Sequence, residues 1–490
     1  MSPSAPLEPQ LKREFTLFSA FTLAFAYISP IVAVYGVFAL ALALVGPGYW
    51  LAIPVALAGQ ILVSLSLGEV SSRFPYEGSL YQWAGRLIGP RFGWLTGWTY
   101  LWTVMIAMAT VTLGAAGFWA SAFHLEADPG TLILIALVLL ALCTFGNLIG
   151  RKPLKIMITV SIIAEIVGSI GLGVILLVLY RVNPFDVIFH SASGLGFSGF
   201  VLAIGLAGWS FLGFESSGSV AEEVQDPSRN VPKALRYSLI GIGIIVLFSS
   251  LSFILAIPNL DAVIAGEVGD PIDATLSSHL APVLTSIAGV IFAIGFTACC
   301  LGLQTGTSRI IYAFARDRAL PGSAWLSKLS KREAVPLNAI LVTLPVVILL
   351  ILLNGSNIYN VLVSYTIGGW YFTFFLVLIG FVIMRVRRRW QPGSFTMGRW
   401  SMPVLVLATI WAAFETVNIA WPREEVAGPE WSMQWAVVLV QVALLLIGWL
   451  VMLGVQRNWR FGTLPAGLEP GAVEAEQSRS ARADHAGDAR

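Results

Sequence analysis

The sequence predicts an all-α integral membrane protein of about twelve spanning helices, ten of them in a five-plus-five inverted repeat and two peripheral. Three observations carry this expectation. Apolar runs of spanning length recur along the chain, basic residues collect on one side of them, and two runs are interrupted at corresponding positions. Of 490 residues, 57% are hydrophobic and only 11% charged, more apolar side chain than a soluble core of this length can bury. A bilayer core takes roughly 20 apolar residues per helix. Strand-like alternation is absent, so helices are the remaining way to satisfy a backbone in lipid.

In chain order, spans are expected near 15–45, 49–70, 93–122, 131–149, 155–180, 198–221, 237–257, 282–315, 336–353, 358–385, 401–421 and 433–455. Residues 1–14 are polar and lack the charged leader and small-residue cleavage site of a signal peptide, so span 1 is expected to be retained behind a short cytoplasmic segment. Near its middle span 1 reads Ile28-Ser29-Pro30-Ile31-Val32. Pro30 has no N–H and clashes with the preceding turn, so the helix should kink or open there. Spans 4 and 8 hold the three cysteines, Cys143, Cys299 and Cys300, as small packing residues with neither disulfide nor metal spacing. Span 5 carries Glu165. Span 6 is weak throughout its middle, where the run from Gly205 to Gly218 contains Gly208, Trp209, Leu212, Gly213 and Glu215. Span 11 carries Glu415. The transport core is therefore expected over 15–385, the peripheral spans 11 and 12 within 386–455, and a disordered cytoplasmic tail over 456–490.

With a cytoplasmic N-terminus, Arg181 and Arg423 are the only Lys or Arg outside, and 27 of the 29 lie inside or toward inner helix ends. That asymmetry sets the expected orientation, with both termini in the cytoplasm of a cell-membrane protein. The Arg385–Arg389 cluster reads as a cytoplasmic stop touching lipid headgroups. His124, His190, His279 and His485 lie in loops or the tail, which argues against buried haem or a histidine metal site. No cofactor and no nucleic-acid partner are expected. An enzyme would need clustered acids or histidines at one membrane face. Glu222, Glu223 and Asp226 form the only such cluster, and Arg229, Lys233 and Arg236 follow it as a loop network.

Spans 1 and 6 are five apart, the corresponding positions of two five-helix halves. Interrupted helices at such positions point to a transporter whose site lies at the bilayer midplane. Pro and Gly also serve ordinary helix packing in membranes; the pairing of the breaks, with Glu215 beside one, favours a site. An open helix end leaves N–H and C=O groups that need partners. Donors after Ser29-Pro30 would suit a carboxylate and freed carbonyls an ammonium. The candidate substrate contacts are thus Ile28, Ser29, Pro30, Ile31, Val32, Trp209, Leu212 and Gly213. Trp209 is a candidate cover for a bound amine through cation–π attraction. A charge at mid-bilayer costs about 2.5 to 3.5 kcal/mol on insertion scales, so Glu215 and Glu165 are candidate proton carriers or ammonium partners, and Glu415 a weaker one.

The stretch Trp209–Glu215, then Val220–Val224 and Asp226–Ala234, resembles span 6 and the following loop of the amino acid–polyamine–organocation superfamily of permeases. Gly68–Pro75 leading to Gly78–Tyr81, and Ser308–Asp317 followed by Leu320-Pro321, are similar to that superfamily's amino acid/choline branch. The resemblance covers roughly 15–455 and implies the leucine-transporter-type fold, alternating access around spans 1, 3, 6, 8 and 10, and a small amino acid or amine substrate moved with a proton or against a counter-substrate. It also implies that Trp209 matches an aromatic gate. Relatives have a Gly-Ser-Gly-like break in span 1; here Pro30 replaces a glycine and removes one N–H. Glu165 stands where several proton-coupled relatives have lysine, so it can take a proton or favour a cation. The span-8 oxygens of sodium-coupled relatives are not clearly matched, although Thr305, Thr307 and Ser308 are nearby hydroxyls. The expected function is secondary transport of amino acids or related organic amines, with proton coupling. The alternative is an exchanger or importer of polyamine, choline-like or ethanolamine cations, and from a different class an integral membrane enzyme or a channel.

Overall fold

Lipid leaves a spanning backbone no hydrogen-bond partner but itself, and the chain answers with helices. The computed structural model describes residues 15–189, 196–330, 335–353 and 358–462; the expected N-terminal segment 1–14 and the tail beyond 462 lie outside them. Among the described residues the only β pairing is a single parallel bridge between Phe15 and Val224.

Among the described residues ten helices are long and apolar enough to cross a membrane: Leu17–Val45, Tyr49–Arg73, Pro90–Ala122, Pro129–Ile149, Thr159–Leu179, Pro227–Ala256, Pro282–Arg316, Ile358–Val386, Gly398–Ala420 and Ala436–Val455. Two shorter apolar helices, Gly196–Phe211 and Leu337–Leu352, fall at the expected spans 6 and 9. Span 7 begins ten residues before the expected 237. Pro227 enters at its first turn, where a missing N–H costs nothing. Pro232 cannot donate to the Ser228 carbonyl one turn back, and the Ser394 hydroxyl, from the segment between spans 10 and 11, donates to it instead.

Packing repeats with a shift of five. Span 1 lies on span 7 as span 6 lies on span 2; span 4 meets span 8 as span 9 meets span 3; span 5 meets span 8 as span 10 meets span 3. Each pair becomes the other when five is added to or subtracted from both numbers, which is the signature of two equivalent five-helix halves. Span 11 lies against spans 2, 6 and 10, and span 12 against spans 3 and 10. The join between spans 2 and 11 is close, since a Cβ on Gly59 would stand 2.0 Å from the Trp411 ring. The outer faces are apolar stripes at helical spacing: Leu134, Val138, Leu142, Phe145 and Ile149 on span 4, and Leu407, Ile410, Phe414 and Val417 on span 11, are all exposed. Such stripes face lipid, and the polar and ionisable side chains turn inward.

Candidate functional site

Span 1 breaks at one residue. Helix 1a, Leu17–Ile28, ends where the Ser29 N–H bonds the Phe25 carbonyl at 2.8 Å, and Ser29 itself has φ +53° and ψ 110°. Helix 1b restarts at once as Pro30–Tyr35, with Pro30 in the first position that tolerates it. The expected opening across Ile28–Val32 is thus narrower than the sequence suggested: Pro30, Ile31 and Val32 are already helical. A second interruption, at Gly36-Val37, separates 1b from Phe38–Val45.

The donors at the start of 1b are taken by the protein. Pro30 has none; Ile31 N–H donates to Glu165 Oε2 at 2.7 Å; Val32 N–H donates to Ser29 Oγ at 3.2 Å; Ala33 N–H closes the first turn on the Ser29 carbonyl at 2.8 Å. The Ser29 hydroxyl in turn donates to Glu165 Oε1. The Tyr27 carbonyl, which Ile31 would serve in an unbroken helix, accepts from the Cys299 thiol at 3.0 Å.

Glu165 reaches this place because span 5 widens there. The α-helix Arg151–Glu165 passes into a π-helical turn, Ile166–Gly171, before Leu172–Leu179. Widened turns loosen the backbone ladder and recur at functional positions. Here the Tyr35 hydroxyl donates to the Gly168 carbonyl at 3.2 Å and the Ser249 hydroxyl to the Ser169 carbonyl at 3.0 Å. Spans 1 and 7 therefore hold the turn that aims Glu165.

Span 6 breaks over a longer stretch. Trp209–Phe211 tightens into a 3-10 turn, Leu212 is extended, and Gly213 has φ +96°. A Cβ on Gly213 would lie 2.6 Å from the Tyr27 ring, so both conformation and space require glycine. Trp209 Nε1 donates to the Val32 carbonyl at 3.0 Å and Ser210 Oγ to the Ala33 carbonyl at 2.6 Å, which ties the turn to helix 1b. Glu215 follows, fully buried. Its Oε1 accepts from the Tyr100 hydroxyl of span 3 at 2.7 Å and from Trp370 Nε1 of span 10 at 2.6 Å; its Oε2 has no hydrogen-bond partner of good geometry. The Trp370 ring stands edge-on to Tyr27 at 6.5 Å and to Tyr100 at 6.1 Å. Among the described residues no Lys or Arg pairs with Glu165 or Glu215.

The sequence-derived candidates therefore separate into three neighbouring groups: Ser29 and Ile31 on Glu165, Val32 on Trp209, and Gly213 on Tyr27 with Glu215 beyond. Leu212 is buried in the span 6 break and Ile28 at the end of 1a. Glu415 lies apart, bound by Asn418 on its own helix. The hydroxyls of Thr305, Thr307 and Ser308 donate to carbonyls of their own helix at 2.7 to 2.8 Å. Sequence reasoning missed Tyr27, Tyr100, Trp370 and the thiol of Cys299.

The family model described as amino acid permease matches residues 15–445. The chain belongs to that family. Similar proteins include the branched-chain amino acid permease BcaP of Bacillus subtilis, 27% identical over 84% of this chain and 90% of its own length. The amino-acid permease BAT1 of Arabidopsis thaliana is 25% identical over 84% of this chain and 86% of its own. The thiamine transporter thi9 of Schizosaccharomyces pombe is 24% identical over 88% and 81%.

At its basic face this permease ties the loop after span 6 to span 8 by charge. Arg316 holds Glu222 with two bonds of 2.6 and 3.0 Å, and Arg309 Nε meets Glu223 at 3.2 Å. Glu222 and Glu223 thus find their cations on span 8, while Asp226 pairs at 3.8 Å with Arg229, one of the basic residues that follow in sequence. Phe15 adds a strand-like tie, its N–H on the Glu223 carbonyl at 2.9 Å and its carbonyl under the Gln225 N–H at 2.8 Å. Asp317 accepts from Tyr81 at 2.7 Å and Gln82 at 3.0 Å. Between these pairs sits Glu77, fully buried, with neither carboxylate oxygen hydrogen-bonded.

Burial first, then the neighbouring Glu222 and Glu223, push the Glu77 carboxyl well above its ordinary value against the pull of Arg316 and Arg309. A protonated Glu77 leaves the Glu222–Arg316 and Glu223–Arg309 pairs without a third carboxylate charge between them. An acid whose value is raised on folding binds its proton more tightly in the folded chain, so its contribution is complete at low pH and is lost as pH rises through the raised value. Thermal midpoints of wild type and Glu77→Gln, measured from acid to alkaline pH, are expected to converge at low pH and to separate as wild type loses stability faster. Parallel curves would exclude this role for Glu77.

Proposed function

We propose that this permease is a secondary transporter of small organic amines, amino acids or their cationic relatives, working by alternating access with proton coupling. One observation carries the reading: a buried carboxylate, Glu215, has one oxygen to which no side chain is bonded and stands beside Tyr27, Tyr100 and Trp370 at the break of span 6. A buried anion without a cation is costly. An ammonium answers it, ion-paired to Oε2 and drawn by the ring faces; in its absence a proton does. That exchange is the simplest coupling the site allows.

The broken spans are tied to each other at both ends, through Trp209 and Ser210 to helix 1b and through Phe15 to the strand-like stretch at Val224. They are thus suited to move as one unit with spans 2 and 7 against spans 3 and 8. The basic face is cytoplasmic in this scheme, following the distribution of Lys and Arg, and the membrane is the cell membrane. Relatives named for amino acids and for thiamine suit a frame whose cargo varies.

Purified protein in proteoliposomes is expected to take up at least one labelled amine or amino acid, faster with the outside acidic than without a gradient. Folded, monodisperse protein that moves none of them would defeat the transport reading; uptake indifferent to the gradient would defeat the coupling.

A further inference from the structure

Resting on the transport reading above, we infer that the cargo is an organic cation with no carboxylate of its own, because Glu165 fills the place that broken span 1 would offer to a substrate carboxylate. A helix N-terminus draws an anion through its unpaired N–H groups and its positive dipole end. At the start of 1b those groups are spent: Pro30 has no N–H, Ile31 donates to Glu165 Oε2 at 2.7 Å, Val32 to Ser29 Oγ at 3.2 Å, and Ala33 to the Ser29 carbonyl. The one hydroxyl at the break, on Ser29, is given to Glu165 Oε1. Two oxygens of a single carboxylate thus hold the hydroxyl and the N–H that a bound amino acid would need.

The arrangement is built in. Glu165 is fully buried and aimed by the π-helical turn Ile166–Gly171, whose carbonyls at Gly168 and Ser169 are held by Tyr35 and Ser249. A substrate carboxylate would have to displace this side chain or lie against it, and two carboxylates in a water-poor interior repel strongly. No Lys or Arg among the described residues pairs with Glu165 or Glu215 to offset that second charge. The positive end of the cargo meets the opposite situation. Glu215 Oε2 is buried with no side chain bonded to it, and Tyr27, Tyr100 and Trp370 lie beside it. One end of a zwitterion is therefore awaited and the other already supplied by the protein.

The test uses pairs that share a side chain and differ by the carboxylate: lysine and cadaverine, arginine and agmatine, leucine and isopentylamine, serine and ethanolamine, with the methyl ester of each amino acid as a third member. Binding to the full chain is read by thermal shift and titration, and transport by proteoliposome uptake. In the best-bound set the amine is expected to bind at least about tenfold more tightly than its amino acid, with the ester beside the amine. Glu165→Gln keeps an acceptor for Ile31 and a donor for Ser29 while removing the charge, and should bring the ratio to within about threefold. An amino acid that binds wild type as well as or better than its amine overturns the inference while leaving transport standing. If no member of any set binds or enters, the transport reading falls and the inference falls with it. The wild-type ratio decides even if Glu165→Gln does not fold.

Discussion

Glu215→Gln is expected to remain folded and to lose at least about 30-fold in affinity for the best-bound amine. Removing one partner from a buried, hydrogen-bonded charge pair costs about 2 to 5 kcal/mol, and about 1.4 kcal/mol is a factor of ten. Glutamine keeps an oxygen for the Tyr100 hydroxyl and Trp370 Nε1, which bond Glu215 Oε1 at 2.7 and 2.6 Å, so the break of span 6 retains its supports. What it loses is the charge at Oε2. Without a buried anion to neutralise, the empty variant should also melt at a temperature equal to or above wild type, in line with the cost of an unpaired interior charge. Glu415→Gln supplies the control, since that carboxylate lies on span 11 beside Asn418 and away from both breaks; its binding should stay within about twofold of wild type. Titration of both variants with the same amine checks the pair. Binding by Glu215→Gln within threefold of wild type would mean that the ammonium sits elsewhere.

How much of this site can be read from the sequence follows from what kind of signal each residue leaves. Pro30 in an apolar run and four glycines around Glu215 are local departures from helix chemistry, so both breaks are legible. So are Glu165 and Glu215, because an ionisable group in a span stands out against lipid. The width of the first break is not, since the same Pro30 that ends one helix is an acceptable first residue of the next. The meeting of Glu165 with Ser29 joins residues 136 apart in sequence and depends on a π-helical turn whose composition, Ile-Val-Gly-Ser-Ile-Gly, looks like any other apolar helix. Tyr27, Tyr100 and Trp370 are hidden by number, in a chain with 17 tryptophans and 12 tyrosines. Glu69 shows the same limit at a helix end. The expected span 2 stops at 70, one residue after it, yet the helix runs on to Arg73 and the fully buried carboxylate binds Thr396, the Met397 N–H and Ser401 between spans 10 and 11.

Arg316→Gln is expected to be the most destabilising single change at the basic face, by about 3 to 5 kcal/mol, the usual cost of leaving one member of a buried ion pair behind. Arg316 is the bidentate partner of Glu222, with the two side chains 10% and 2% exposed. Its loss leaves Glu222 without its bidentate cation beside Glu77 and Glu223, with Arg309 still on Glu223. The structure can relieve that repulsion by admitting water, which means opening this face. Arg316→Gln should therefore both melt lower and react faster with a thiol reagent at a cysteine placed at Ala313, a fully buried site whose Cβ lies 2.8 Å from where a Cβ on Gly78 would stand. Glu222→Gln in the Arg316→Gln background separates repulsion from lost packing. If stranded charge is the cause, the double variant is more stable than Arg316→Gln alone and its labelling falls back toward wild type, a coupling of about 0.5 to 3 kcal/mol in a double-mutant cycle. If the two changes simply add, the Arg316–Glu222 pair is not what holds the face shut, and closure would rest instead on Arg309 with Glu223 and on the Phe15 tie to the same loop.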